Sequence, residues 1–418
     1  MCCRHKILLQ IILSFITVGV IISAYAQVAK SADARDLKSL GGNSISVQVR
    51  SWAPRMLAND DLMIVKTQPN LKLSLKTQLK RESGLELLRV IAMILIVIHH
   101  VYLYGGVEFT SNIGICLSIL FGSYGKLGAD IFILISAYFM VNKKFRLTRI
   151  LNLILHATFY SIVIYILFSL FDVVNFSLVG LLRASLPIWY DEWWFVTIFI
   201  ILMIVSPVLN LILHSVSQKK FRLIFIFVIG FMVLLPYLGL LLTGEFLQFP
   251  YYLNELFVFT ELYFIGGYIG LYGIKIAKFW VIYVTCLALI FVFFNMCMNS
   301  ICNIVAAVSL LLIFKDFKFR NYFINVVAST TFGIYLIHEH ELMRYNQFNF
   351  LRTKIFAHCQ SPELLFLLLT VTVFLVAMLI ELVYLQTIQR LNNRFLKFID
   401  KKFDEHRVKQ ALEEKTQK

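Results

Sequence analysis

Two ionisable side chains with complementary chemistry, Arg89 and His100, lie on one apolar stretch with ten residues between them. On a helix, eleven steps of about 100° bring both to one face within about 20°, with a rise of about 16 Å. Glu86 lies three residues before Arg89, where it can pair with the guanidinium. A guanidinium suits a phosphate, and an imidazole can take a proton from a hydroxyl near neutral pH. We therefore predict that Arg89 binds a phosphorylated donor and assign His100 and Glu86 to the catalytic set.

The chain that carries these residues is too apolar for a water-soluble domain. Of its 418 residues, 59% are hydrophobic and 15% are charged, against about 25% charged residues in soluble proteins. Ionisable groups in hydrocarbon are costly, so Arg89 and His100 are expected to have a function. The alternative, in which they pair with one another or with helix carbonyls and only hold the bundle together, stays open.

Hydropathy divides residues 71–395 into ten apolar segments. Each is near the roughly 20 residues that a membrane-crossing helix needs, or short enough for a buried or broken helix. The segments are 85–104, 127–142, 149–171, 193–214, 221–243, 255–274, 279–297, 300–315, 322–338 and 364–388. A further stretch, 113–121, is expected to lie in the interface or to re-enter. The sequence thus predicts an all-α integral membrane protein with a ten-helix bundle.

Basic residues are concentrated in every second loop of this bundle. These loops hold Lys76, Lys80 and Arg81; Lys143, Lys144, Arg146 and Arg149; Lys219, Lys220 and Arg222; Lys275 and Lys278; Lys315, Lys318 and Arg320; and Arg390, Arg394 and Lys397. Lys126 and Arg183 are isolated exceptions. The positive-inside rule places both ends of the bundle in the cytoplasm. We assign Arg146 and Arg149 to the donor phosphates together with Arg89, and the formal net charge of +15 to loops rather than to a nucleic-acid partner.

The two ends of the chain are interpreted separately from the bundle. Residues 7–26 resemble a signal peptide or anchor. The residues after them read like a translated tRNA gene, so we hypothesise that residues 1–70 are an artefactual or signal-like extension and that translation starts at Met56 or Met63. A genuine signal anchor with a polar linker is the alternative. Residues 396–418 are basic, and we expect a cytoplasmic tail helix, either on the inner leaflet or solvated.

The cysteines give no sign of a metal site. All seven are scattered, several in apolar runs, and no CxxC pair is present. Neither a disulfide framework nor a zinc site is indicated, and no metal is expected.

Four segments of the chain resemble one known family. They are RESGLELLRVIAMILIVIHH (81–100), GADIFILISAYFM (128–140), EWWFVTIFIILMIVSPVLN (192–210) and STTFGIYLIHEH (329–340). The first resembles the opening helix of the membrane acyltransferase-3 family, whose hallmark is Arg, ten residues, then His. The others are similar to later segments of that family, in the expected order over about residues 75–395. Ala137 stands where the family usually has Gly, and Glu86 where it often has Asp.

The resemblance implies a surface-polysaccharide O-acetyltransferase type of enzyme. Such an enzyme has ten helices in the bacterial inner membrane and uses cytoplasmic acyl-CoA, usually acetyl-CoA. Its acceptor is an extracytoplasmic or lipid-linked glycan, which would be the partner of this chain beside membrane lipids. Carried over, Arg89 belongs to the donor site and His100 is the catalytic base. Direct transfer and transfer through an acyl-enzyme both stay open.

Five further residues are candidates for substrate binding, each with a simpler alternative. Asp130 lines an outer cavity or is a water-exposed helix-end acid. Ser136 contacts substrate or hydrogen-bonds a helix carbonyl. Trp194 stacks on a sugar or, together with Trp193, belongs to an interfacial belt, which we favour. Tyr335 and His338 orient the acceptor or anchor a helix end.

Two other kinds of function compete with acyl transfer. A glycan polymerase or lipid-linked-sugar flippase also has about ten to fourteen spans with buried Arg, but usually has a large polar outer loop, whereas the outer loops here are short. A small-molecule transporter would favour inverted repeats, and no convincing repeat is visible.

Overall fold

The computed structural model describes residues 82–220, 242, 251–274, 278–294 and 301–401. These residues form helices joined by loops, with no strand among them. Apolar runs favour helices because backbone polar groups in a membrane must be satisfied within the segment. In chain order the helices are α1 (Ser83–Tyr104), α2 (Asn112–Ser123), α3 (Gly125–Met140), α4 (Leu147–Leu170), α5 (Leu178–Ser185), α6 (Trp194–Ser215), α7 (Tyr251–Tyr272), α8 (Lys278–Phe294), α9 (Ile301–Phe314), α10 (Tyr322–His338), α11 (Glu341–Phe350) and α12 (Pro362–Gln386). The chain divides into two compact units, of which the larger comprises both residues 82–169 and residues 175–418. All features below lie in this larger unit.

Four of these helices are long and apolar enough to cross a membrane, namely α1, α4, α6 and α12. Shorter apolar helices lie within α8, α9 and α10. The chain is therefore a multi-pass membrane protein, as predicted. Nine of the ten predicted segments fall wholly or largely on described helices, and the short stretch 113–121 is helix α2. The remaining segment, 221–243, lies outside the described residues except for Leu242.

Helices α1 and α10 lie side by side, parallel and in step. Near the start of α1, the backbone N–H of Asn321 donates to Ser83 Oγ at 2.8 Å. Near its end, the rings of His100 and His338 meet, with Nδ1 and Nε2 2.9 Å apart. Each pair is separated by 238 residues in the chain, so the two helices advance equally between these contacts. We call the two levels the Arg89 end and the His100 end of the bundle.

Small residues let α3 pack closely against α1 in the opposite direction. Gly125, at the start of α3, lies against the His99 ring, and Gly128 lies against the backbone nearer the middle of α1. A Cβ at Gly128 would be 2.6 Å from the carbonyl oxygen of Ala92. Close backbone approach through glycine is the usual way in which membrane helices gain packing contacts.

A buried polar cluster joins α4 to α12. Tyr160 donates its hydroxyl to Glu381 Oε2 at 2.7 Å, and His156 Nε2 lies 3.2 Å from the same oxygen. The Tyr384 ring stacks on His156 with centroids 4.0 Å apart. An isolated carboxylate in an apolar bundle is costly, and these partners compensate it.

The predicted tail begins as a helix. Residues 388–401 are helical, and Thr148 at the start of α4 donates its hydroxyl to Asp400 Oδ1 at 3.0 Å. Residues 402–418 and the whole N-terminal extension, 1–70, lie outside the described residues.

Candidate active site

The imidazole of His100 faces two groups from a single turn at the end of α10. Its Nδ1 is 2.9 Å from His338 Nε2 and 3.0 Å from Glu339 Oε2. All three residues are buried, with exposures of 9% for His100, 0% for His338 and 3% for Glu339. The equal advance of α1 and α10 from the Ser83–Asn321 contact to the His100–His338 contact brings these groups to one level of the bundle.

The hydrogen-bond pattern fixes which nitrogens carry hydrogen when both rings are neutral. His338 Nδ1 lies 2.5 Å from the carbonyl oxygen of Ile334. A carbonyl can only accept, so Nδ1 must donate and Nε2 must be the acceptor. His100 Nδ1, which contacts that acceptor, therefore carries the hydrogen. The lone pair of the His100 ring is then on Nε2, for which the described residues provide no hydrogen-bond partner.

Glu339 is held by a second charge. Its Oε1 is 2.8 Å from the guanidinium of Arg344 on α11, and the Arg344 guanidinium lies 5.3 Å from the centre of the Tyr104 ring. Glu339 lies in the turn that follows α10. Burial raises the pKa of its carboxyl to about 7, and the charge of Arg344 opposes this rise. The Glu339 carboxyl therefore has an electrostatic partner on each side, a guanidinium and an imidazole.

The start of α6 supports this turn from the opposite side. Glu192 accepts a hydrogen bond from the backbone N–H of Glu341 at 2.7 Å and lies 3.4 Å from His340 Nδ1. The buried Trp193 ring packs edge-on against His340, with centroids 5.5 Å apart. These contacts fix the turn that carries His338 and Glu339.

Glu86 and Arg89 lie at the other end of the bundle. Arg89 donates to Glu86 Oε2 at 2.6 Å, which confirms the predicted pair. At about 1.5 Å per residue, Glu86 is about 21 Å along the helix from His100, so its carboxylate belongs to the Arg89 site. Its assignment to the catalytic set and the donor role of Arg89 stay predictions.

A basic cavity opens at the Arg89 end, between the α3–α4 loop and α6. Its volume is about 460 Å³. The cationic and titratable side chains that line it are Lys143, Lys144, Arg146, Arg149 and His214. Arg146 and Arg149 thus line one cavity, whereas Arg89 is not among the lining residues. The donor role of Arg146 and Arg149 stays a prediction. Several cations around one concavity concentrate positive potential and attract phosphates.

The predicted substrate residues occupy different places. Asp130 is buried and accepts from Lys126 Nζ at 2.5 Å, so the interpretation as a water-exposed acid is wrong. Lys126 is also 3.3 Å from Glu255. These two carboxylates explain why a lysine is buried at the His100 end of the bundle. Ser136 donates to the carbonyl of Phe132 at 2.7 Å, as its simpler alternative states.

The aromatic candidates pack against other rings of the bundle. Trp194 contacts the Phe195 and Phe259 rings. Its neighbour Trp193 is only 1% exposed, so the interfacial-belt interpretation is wrong for Trp193. Tyr335 is buried with its ring edge-on to His338 at 6.0 Å. Of the five substrate candidates, His338 is the one that touches His100.

Sequence reasoning missed Glu339 and Arg344. The only signal was the run of ionisable residues His338 to His340 that follows an apolar segment. Nothing in the spacing could show that this turn meets a helix 238 residues earlier in the chain.

The comparison with protein families shows to which class the chain belongs. Residues 82–382 match the family model Acyl_transf_3, described as an acyltransferase domain. This match covers most of the chain, including α1 and the α10–α11 turn, so the protein belongs to the acyltransferase-3 family and is an acyltransferase. No curated protein and no solved structure matches the chain.

Proposed function

We propose that this protein is an O-acyltransferase that moves an acyl group, acetyl in the first instance, from cytoplasmic acyl-CoA to a glycan hydroxyl. The acceptor is an extracytoplasmic or lipid-linked saccharide, and the protein lies in the cytoplasmic membrane of a bacterium. The observation that carries the proposal is the His100 imidazole, whose Nδ1 is occupied by His338 and whose Nε2 lone pair is available. Family membership and the predicted orientation support it.

The available nitrogen is suited to act as a general base. When Nε2 accepts the hydroxyl proton, the ring becomes an imidazolium. Its Nδ1–H then donates a charge-assisted hydrogen bond to His338, and the Glu339 carboxylate, 3.0 Å away, stabilises the positive charge. Both effects act only after proton transfer, so they lower the barrier instead of merely tightening binding.

The bonds and protons balance in a direct transfer. The acceptor oxygen attacks the thioester carbonyl carbon while its proton moves to His100 Nε2. The C–S bond breaks, and the departing thiolate takes the proton back from Nε2. The products are a glycan ester and free CoA, and the enzyme returns to its starting protonation state.

The basic cavity is suited to the other end of the donor. Coenzyme A carries a diphosphate and a ribose phosphate, which match the cations of this cavity, Arg146 and Arg149 among them. The cavity lies at the Arg89 end, which the positive-inside rule places in the cytoplasm. The pantetheine arm would then extend along α1 toward His100.

Transfer of label from acetyl-CoA tests the proposal. Membranes containing the protein are incubated with acetyl-labelled acetyl-CoA, and label is measured in the glycan fraction. His100→Ala should abolish incorporation. His99→Ala is the matched control, because His99 is on the same helix and equally buried but packs on Gly125; it should retain incorporation. Full incorporation of label by His100→Ala protein that is inserted in the membrane would overturn the mechanism. If the wild type labels no envelope glycan at all, a polymerase or flippase would be favoured instead.

A further inference from the structure

We propose that His100, His338 and Glu339 also form a binding site for a divalent transition-metal ion of the Zn²⁺ type, and that the bound ion blocks acyl transfer. The inhibitory consequence rests on the proposed function, since the ion takes a nitrogen of the catalytic base. The binding itself is independent of any activity and can be tested alone.

The three side chains place one possible ligand atom each close together. Nδ1 of His100, Nε2 of His338 and a carboxylate oxygen of Glu339 lie within 4.8 Å of one another. Two of the separations are 2.9 and 3.0 Å. Ligands about 2.05 Å from a tetrahedral zinc lie about 3.3 Å apart, so the rings need to open by only about 0.4 Å. Two imidazoles and one carboxylate also form a known three-residue zinc set that leaves one coordination position open.

The His338 ring is already prepared as a ligand. Its Nδ1–H is held by the Ile334 carbonyl, which leaves the Nε2 lone pair, 2.9 Å from His100 Nδ1, as the atom that would bind the ion. A ligand histidine whose other ring nitrogen donates to a backbone carbonyl is the usual arrangement around protein-bound metals, because it fixes the tautomer and the ring orientation.

The Glu339 carboxylate supports the metal site independently of the two histidines. Glu339 Oε2 is buried and receives no hydrogen bond from the described residues, although it lies beside His100 Nδ1. One N–H hydrogen is directed to His338 and cannot serve both acceptors. A cation between the three atoms would satisfy them together. Arg344 holds the other oxygen of the carboxylate at 2.8 Å, which orients it while reducing its affinity for a cation.

Binding of the ion would change the tautomer of His100. The metal takes the Nδ1 lone pair, and the ring proton moves to Nε2. Nε2 then donates a hydrogen instead of accepting one, so it cannot take the proton of an acceptor hydroxyl. Acyl transfer stops until the ion is removed, without any change in donor binding at the far end of the bundle.

Cobalt titration tests the binding without an acyl acceptor. The full chain is purified in detergent, freed of any affinity tag and of metal, and titrated with Co²⁺, whose visible absorption reports coordination. We expect one Co²⁺ per chain, displaced by one Zn²⁺. His338→Ala and Glu339→Gln should each weaken binding at least tenfold, whereas His99→Ala should bind as the wild type does.

Three outcomes would overturn the metal proposal. They are the absence of cobalt absorption in the folded wild type, equal binding by wild type and both ligand variants, and an acyl-transfer rate that saturating Zn²⁺ does not lower. If Co²⁺ binds but no acyl transfer is ever found, the proposed function fails and the binding site stands. If transfer depends on His100 but no metal binds, the metal proposal fails and the proposed function stands.

Discussion

Replacing His338 by alanine isolates the contribution of the hydrogen bond that orients His100. The substitution removes the acceptor that lies 2.9 Å from His100 Nδ1 and leaves the donor cavity intact. A hydrogen bond to a charged group contributes about 1.5–3 kcal/mol, and this bond becomes charged when His100 takes the proton. At about 1.4 kcal/mol per factor of ten, kcat should fall roughly 10-fold to 150-fold, while KM for acetyl-CoA stays near its wild-type value.

The assay is release of free CoA in the presence of acceptor, measured over a range of donor concentrations. His338→Gln should recover part of the rate, because its amide oxygen can accept near the position of the lost Nε2. Added imidazole should partly rescue His338→Ala by filling the vacated space. A kcat within twofold of the wild type, in protein that is folded and inserted, would refute the orienting role of His338.

Three further predictions follow from other parts of the bundle. The double variant Arg146→Gln/Arg149→Gln should raise KM for acetyl-CoA at least tenfold, because two phosphate contacts are lost. KM for acetyl-pantetheine, which lacks the nucleotide phosphates, should not change. An equal rise for both donors would contradict the assignment of the cavity to the donor phosphates. Lys126→Met should lower the free energy of unfolding by about 3–5 kcal/mol, because two buried carboxylates lose their partner. Size-exclusion analysis after heating should show a lower melting temperature, and an unchanged one would disprove the pairing. Gly128→Ala should lower the melting temperature because its Cβ would lie 2.6 Å from a carbonyl oxygen of α1; the same assay measures it, and unaltered stability would show that α1 and α3 have room to separate.

Much of the helical framework could be predicted from the sequence. Apolar segment length and flanking polar residues predicted nine segments that fall on described helices, since a membrane helix must be long and apolar to satisfy its own backbone. The pairing of Glu86 with Arg89 was also predictable, because residues three apart on a helix are neighbours. The ten-span count and the orientation stay predictions.

The chemistry around His100 could be predicted only in part. Spacing singled out His100 itself, and motif resemblance singled out His338, but neither showed that the two rings touch. That contact depends on α1 and α10 being parallel and in step, a tertiary property of residues 238 positions apart. Lys126 and Trp193 illustrate the same limit. Lys126 was an exception to the pattern of loop charges and Trp193 was assigned to an interfacial belt. Each is buried against a partner that is distant in the chain.

The most direct test of the central claim uses sealed proteoliposomes with acetyl-labelled acetyl-CoA inside and glycan acceptor only outside. Chains inserted in the reverse orientation meet no donor at their basic cavity and contribute nothing. The wild type and His99→Ala are expected to label the external glycan, and His100→Ala is not. Labelling by His100→Ala at the wild-type rate, or labelling only when donor and acceptor share one compartment, would contradict transfer across the bundle through this imidazole.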